Sequence, residues 1–122
     1  MIRRIHTAAV AVAAALLVAT TLSAHTKVVK SLPAADETLS VKPAAVQVWF
    51  NETPDVKVSK LTLDGPGGAV KVGAVKAAAE NSIAASIEGT LGEGKYTASW
   101  QTAGKDGHVL KGTFAFTVRQ TQ

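Results

Sequence analysis

The stretch "TAGKDGHVLKG", Thr102 to Gly112, sets an aspartate and a histidine on either side of a glycine. The chain has only three histidines, His6, His25 and His108. On an extended backbone, residues two apart project to the same side, so Asp106 and His108 would face one point. Gly107 between them removes a side chain and permits a bend. A carboxylate and an imidazole aimed together can share a metal ion. Asp-Gly alone, however, is common in turns, where a histidine is usually solvated. The pair therefore needs further ligands before it amounts to a site.

The second histidine supplies them if the chain is processed. "MIRRIH" carries Arg3 and Arg4 as a basic n-region, and "TAAVAVAAALLVATT" is an apolar h-region. It falls short of the ~20 apolar residues a membrane span needs. Leu22-Ser23-Ala24 is a small-residue cleavage context, with leucine less usual than alanine at its first position. Residues 1–24 therefore read as a secretory signal, with an uncleaved amphipathic anchor as the alternative. Removal makes His25 the first residue, offering an imidazole and a free α-amine to one ion. An ordinary α-amine has a pKa of about 7.7–8, so metal binding near neutral pH releases a proton readily.

His25, Asp106 and His108 together give three nitrogens and one oxygen. Tetragonal nitrogen/oxygen sets suit Cu(II), which tops the divalent affinity order. Zinc, with two histidines and a carboxylate, is the competitor. The only methionine is Met1, lost with the signal, and there is no cysteine. The mature chain thus has no soft sulfur for Cu(I). Spacing alone does not bring residues 25 and 108 together; the fold must do that.

The elements that would position them read as strands. "AVQVWF", "SKLTLDG", "SIAASIEG", "GKYTASWQT" and "GTFAFTV" alternate apolar and polar residues. Adding "TKVVKS" and "GAVKVG" gives about seven short strands separated by turn residues. This is the pattern of an all-β, immunoglobulin-like sandwich of about a hundred residues. The patch "GAVKAAAENS" is too short to hold a helix alone and reads as a connection or irregular strand edge. Tyr96, Trp100, Phe114 and Phe116 form an aromatic stripe suited to core packing. Of thirteen Lys+Arg, eleven remain once Arg3 and Arg4 are removed, against nine Asp+Glu. So small a surplus, scattered along the chain, is a solvated surface and not a nucleic-acid stripe. No second long apolar run follows, so residues 25–122 are expected to be one soluble, exported domain without membrane insertion. Absence of cysteine fits a bacterial envelope protein that needs no oxidative folding.

The segments "AHTKVVKSLPAADETL", "VWFNE", "LTLDGPGG" and "GEGKYTASWQTAGKDGHVLKGTFAFTV" resemble the CopC family of small periplasmic copper-binding proteins. The resemblance spans nearly all of residues 25–118. Its most specific part is Gly94 to Thr97, Trp100, Asp106-Gly107-His108, Gly112 and Phe114. It implies a Greek-key β-sandwich whose mature chain begins with histidine. It also implies a Cu(II) site formed by the amine and imidazole of His25 with Asp106 and His108. Glu52, in "WFNETP", matches a glutamate linked to the site in some members. It stands as an outer-shell candidate, its alternative being an exposed strand-end charge. Some members carry a second, Met-rich Cu(I) site, which this chain cannot build.

The implied role is periplasmic copper resistance or homeostasis, by binding and release and not by enzymatic turnover. The implied partner is an inner-membrane copper transporter of the CopD type. A second hypothesis is a histidine-brace copper monooxygenase. The short chain, and a carboxylate that favours holding Cu(II) over cycling it, speak against that. A hydrogen bond that fixes the tautomer of His108 is expected from Glu52, Thr102 or a backbone carbonyl.

Overall fold

The computed structural model describes residues 26–120. Residues 1–24, read above as a signal, and His25 lie outside the described residues. Nine strands follow in order: β1 (Val28–Leu32), β2 (Glu37–Leu39), β3 (Ala45–Phe50), β4 (Lys60–Gly65), β5 (Gly68–Val70), β6 (Lys76–Ala78), β7 (Ser82–Ser86), β8 (Gly94–Ala103) and β9 (Val109–Val118). They form a four-stranded sheet in the order β1-β3-β7-β6 and a five-stranded sheet in the order β2-β9-β8-β4-β5. Sequence neighbours repeatedly switch sheets, so β3 pairs with β7 and β4 with β8. Two strands exceed the expected seven. β2 is a three-residue strand parallel to the end of β9. β6 arises from the alanine-rich patch, as an edge strand antiparallel to β7.

Period-two patterning places the core. In β3, Val46, Val48 and Phe50 are buried while Ala45, Gln47 and Trp49 alternate on the other face. Leu61, Leu63, Ile83, Ala85, Tyr96, Ala98, Phe116 and Val118 close the space between the sheets. The aromatic stripe is core, as expected. Tyr96 stacks on Phe116 at 5.5 Å between centroids, and Phe50 meets Trp100 edge-on at 5.3 Å. The Tyr96 hydroxyl donates to the Gly92 carbonyl at 2.7 Å, a local tie of the kind found at sandwich corners.

Four parts of the chain converge at one end. Val28, at the start of β1, pairs with Phe50, at the end of β3. The β8–β9 hairpin keeps unbroken register from Gly94↔Val118 to Ala103↔Val109, so its tip is residues 104–108. A 3₁₀ turn, Val56–Val58, is capped by Asp55, whose carboxylate accepts the Lys57 N–H. Asp55 N–H in turn donates to the Ala103 carbonyl at 2.9 Å, tying this turn to the hairpin tip.

Candidate metal centre

The hairpin tip is a turn and not extended backbone. Gly107 N–H donates to the Gly104 carbonyl at 3.0 Å, and Gly107 has a φ of +80°. A side chain at Gly107 would be strained in that region, which is why glycine stands there. Asp106 and His108 do face one point, but the turn brings them together and strand alternation does not. One Asp106 oxygen accepts the His108 backbone N–H at 3.0 Å. The other lies 3.0 Å from His108 Nδ1. A carboxylate opposite Nδ1 requires a proton on that nitrogen, which makes Nε2 the lone-pair nitrogen of the neutral ring. The tautomer is therefore set by Asp106, within the motif itself. Thr102 instead serves the loop's base, where it is fully buried and its hydroxyl bonds Ser59 Oγ at 2.7 Å.

Glu52 is not a solvated strand-end charge. It is half-buried, and its Oε1 accepts the Lys105 N–H at 3.2 Å. A methyl group on Gly104 would lie only 2.6 Å from that oxygen and would collide with the Thr26 hydroxyl oxygen. Thr26 is 5% exposed. Lys27 is held from both sides by Asn51: Lys27 N–H donates to Asn51 Oδ1 at 2.7 Å, and Asn51 N–H donates to the Lys27 carbonyl at 3.0 Å. Residues 26–27 are thus clamped between the end of β3 and the base of the Asp106–His108 loop. Sequence reasoning missed Thr26, Asn51 and Gly104. Only the position of Thr26, directly after His25, could have pointed to one of them.

Asp106 and His108 are both exposed, so the pair faces solvent. Among the described residues, no three His, Cys, Asp or Glu side chains converge to hold a metal ion. The Asp106–His108 pair therefore needs ligands from elsewhere to complete a centre.

A domain model of the CopC family matches residues 28–119, most of the chain and all nine strands. The chain belongs to the CopC family. It is 31% identical to "Copper resistance protein C" of Xanthomonas campestris pv. juglandis. That alignment runs over 125 residues, 96% of this chain and 97% of the other. It is 26% identical over 114 residues to "Protein YobA" of Escherichia coli K12, covering 91% and 92% of the two chains. The fold superposes on PcoC, a methionine-rich copper resistance protein from Escherichia coli. The TM-score is 0.71 at 28% identity, with 79% of this chain and all of that one covered. CopC from Methylosinus trichosporium OB3b gives a TM-score of 0.72 at 22% identity, over 80% and 97% of the chains, a likeness of fold. Among the described residues, no helix is long and apolar enough to cross a membrane.

Proposed function

We propose that this chain is a periplasmic Cu(II)-binding protein of copper resistance or homeostasis. It would hold one ion with His25, Asp106 and His108, and sequester it or hand it to a membrane copper transporter of the CopD type. The observation that carries the reading is the burial of Thr26 beside Gly104 and Glu52, at the base of the loop bearing Asp106 and His108. Covalent geometry keeps the Cα of residue 25 about 3.8 Å from that of Thr26. In this reading, removal of residues 1–24 would leave the α-amine and imidazole of His25 to reach toward His108 from the position next to Thr26. Family membership and the copper-resistance names of its relatives support the same cargo.

In this reading His25 chelates through two nitrogens and His108 contributes Nε2. Asp106 holds Nδ1–H and lends negative charge; to supply the oxygen ligand it would have to release Nδ1 and swing toward the ion. Glu52 does not touch the ion but holds the loop to the chain start. The chemistry is binding and release, without turnover. Protons must leave the amine and imidazoles, so affinity falls as pH falls.

The test is a Cu(II) titration followed by electron paramagnetic resonance, on the chain beginning at His25 and on one carrying a single extra residue before it. The expected result is one tight nitrogen-rich site in the first. In the second, affinity should drop by more than about 100-fold, beyond the range typical of losing an outer partner. Equal affinity in the two chains would remove the amine from the site and defeat the proposal.

A further inference from the structure

Beside the candidate centre, the β9 edge is left open among the described residues. Two bonds fix the hydrogen-bonding phase of β9 on its β2 side. Asp36 N–H donates to the Ala115 carbonyl at 2.6 Å, and Arg119 N–H donates to the Leu39 carbonyl at 2.8 Å. The N–H and C=O of one residue point to the same side of a strand, and the side alternates along it. Val109, Lys111 and Thr113 therefore aim their backbone groups away from β8. β2 covers only Phe116–Val118. No described residue pairs with Val109–Thr113 on that side. The open run is five residues, about 17 Å of strand.

Across from this edge lies β1, the edge strand of the other sheet. Between them is a groove of about 390 Å³ whose apolar wall is Val28, Val29, Ala34, Ala35, Trp100 and Phe114, with Lys30, Ser31 and Thr113 as its polar residues. Val28 and Val29 are 43% and 61% exposed. Trp100 pairs with Gly112, and its indole fills the space a Gly112 side chain would take. The inner face of the open edge is thus apolar, while Lys111 stands on the outer face beside Gln101.

Charge selects the occupant. A second copy pairing antiparallel about the centre of this edge would set Lys111 opposite Lys111, which is destabilising. The β1 edge has Lys30 at its middle, with the ammonium over Trp49, and resists self-pairing in the same way. An extended segment with a carboxylate opposite Lys111 has the opposite sign and a matching face. Asp36 and Glu37 stand at the β2 end, so the acidic position belongs at the level of Lys111 and not beyond Thr113.

We propose that Val109–Thr113 accepts an extended segment of a partner protein as an added strand. An acidic residue of that segment pairs with Lys111, and apolar residues on either side enter the groove between β1 and β9. Main-chain bonds supply the affinity and the alternate side chains the selectivity. The inference does not rest on the copper reading. Val109 directly follows His108, however, so a strand docked here ends beside the candidate centre.

Amide exchange and chemical shifts of the ¹⁵N-labelled chain test it, without copper. The probes are a capped heptapeptide alternating valine with glutamate and its valine–lysine counterpart. The glutamate peptide should slow exchange at Val109, Lys111 and Thr113 by about tenfold or more, leaving Leu110 and Gly112, already turned to β8, unchanged. The lysine peptide should not. Lys111→Glu should reverse the preference. Lys111→Pro removes an outward N–H without breaking the β8 ladder and should abolish binding; Lys111→Glu keeps the test valid if that variant misfolds. Three results overturn the proposal: no protection at millimolar peptide, equal protection by both peptides, or protection away from this edge. A concentration-dependent dimer in sedimentation that Lys111→Pro dissolves would also overturn it, by identifying the occupant as a second copy.

Discussion

At the scale of single residues, Asp106 and His108 divide the work. The carboxylate occupies Nδ1 and the backbone N–H of His108, so it sets which nitrogen can meet a metal. Asp106→Asn should therefore weaken Cu(II) binding by about 10–100-fold, the usual cost of losing such a partner. The nitrogen count in the paramagnetic resonance spectrum should stay the same. His108→Ala should cost more affinity and remove one nitrogen from that spectrum, while the thermal melt of the copper-free chain stays close to the parent. His108 contributes nothing to the core, so a collapse of the fold in that variant would make it a structural residue. Gly104 matters differently. Gly104→Ala forces its new methyl against Thr26 and Glu52, and overpacking of this kind typically costs about 1–3 kcal/mol. Urea denaturation should show the loss, and the copper titration should weaken with it.

At the scale of elements, the hairpin tip is only as fixed as what holds its base. β8 ends in Thr102 and Ala103, both buried. Thr102 meets Ser59 hydroxyl to hydroxyl, Ser59 also donates to the Asp55 carbonyl at 2.8 Å, and Asp55 N–H closes the ring on Ala103. Thr102→Val keeps the shape and removes one buried hydrogen bond, leaving Ser59 its bond to Asp55. The expected cost is about 1 kcal/mol in urea denaturation. Copper affinity should fall slightly if the loop loosens. The strands themselves were legible, because alternation is a local signature: Val46, Val48 and Phe50 could be placed inward before any fold was known. β2 was not, and β6 was read only as a connection or irregular strand edge, since three-residue strands owe their pairing to a neighbour and carry too few residues to show a period.

At the scale of the whole molecule, the sandwich is a rigid frame that brings chain positions roughly eighty residues apart to one end. Phe116 is 1% exposed at its centre. Phe116→Ala should cost about 3–5 kcal/mol, a large share of the total stability of a small domain. Copper should work in the other direction. An ion that binds only the folded chain adds about 2.7 kcal/mol at a hundred times its dissociation constant. The melting temperature should rise with Cu(II) in the chain beginning at His25 and much less in the chain extended before it.

By itself, the sequence supplied the candidate ligands: His25 and His108, the Asp106 carboxylate beside the second, and no sulfur other than Met1. It also determined the fold class, because alternation and turn residues act over a few positions. Tertiary structure alone decided that Thr26 packs against Gly104 and that Glu52 turns inward to the Lys105 N–H. It also decided that, among the described residues, β9 pairs only with β8 from Val109 to Thr113. Those facts depend on which strands meet across the sandwich, and contacts between residues so distant along the chain leave no periodicity in it.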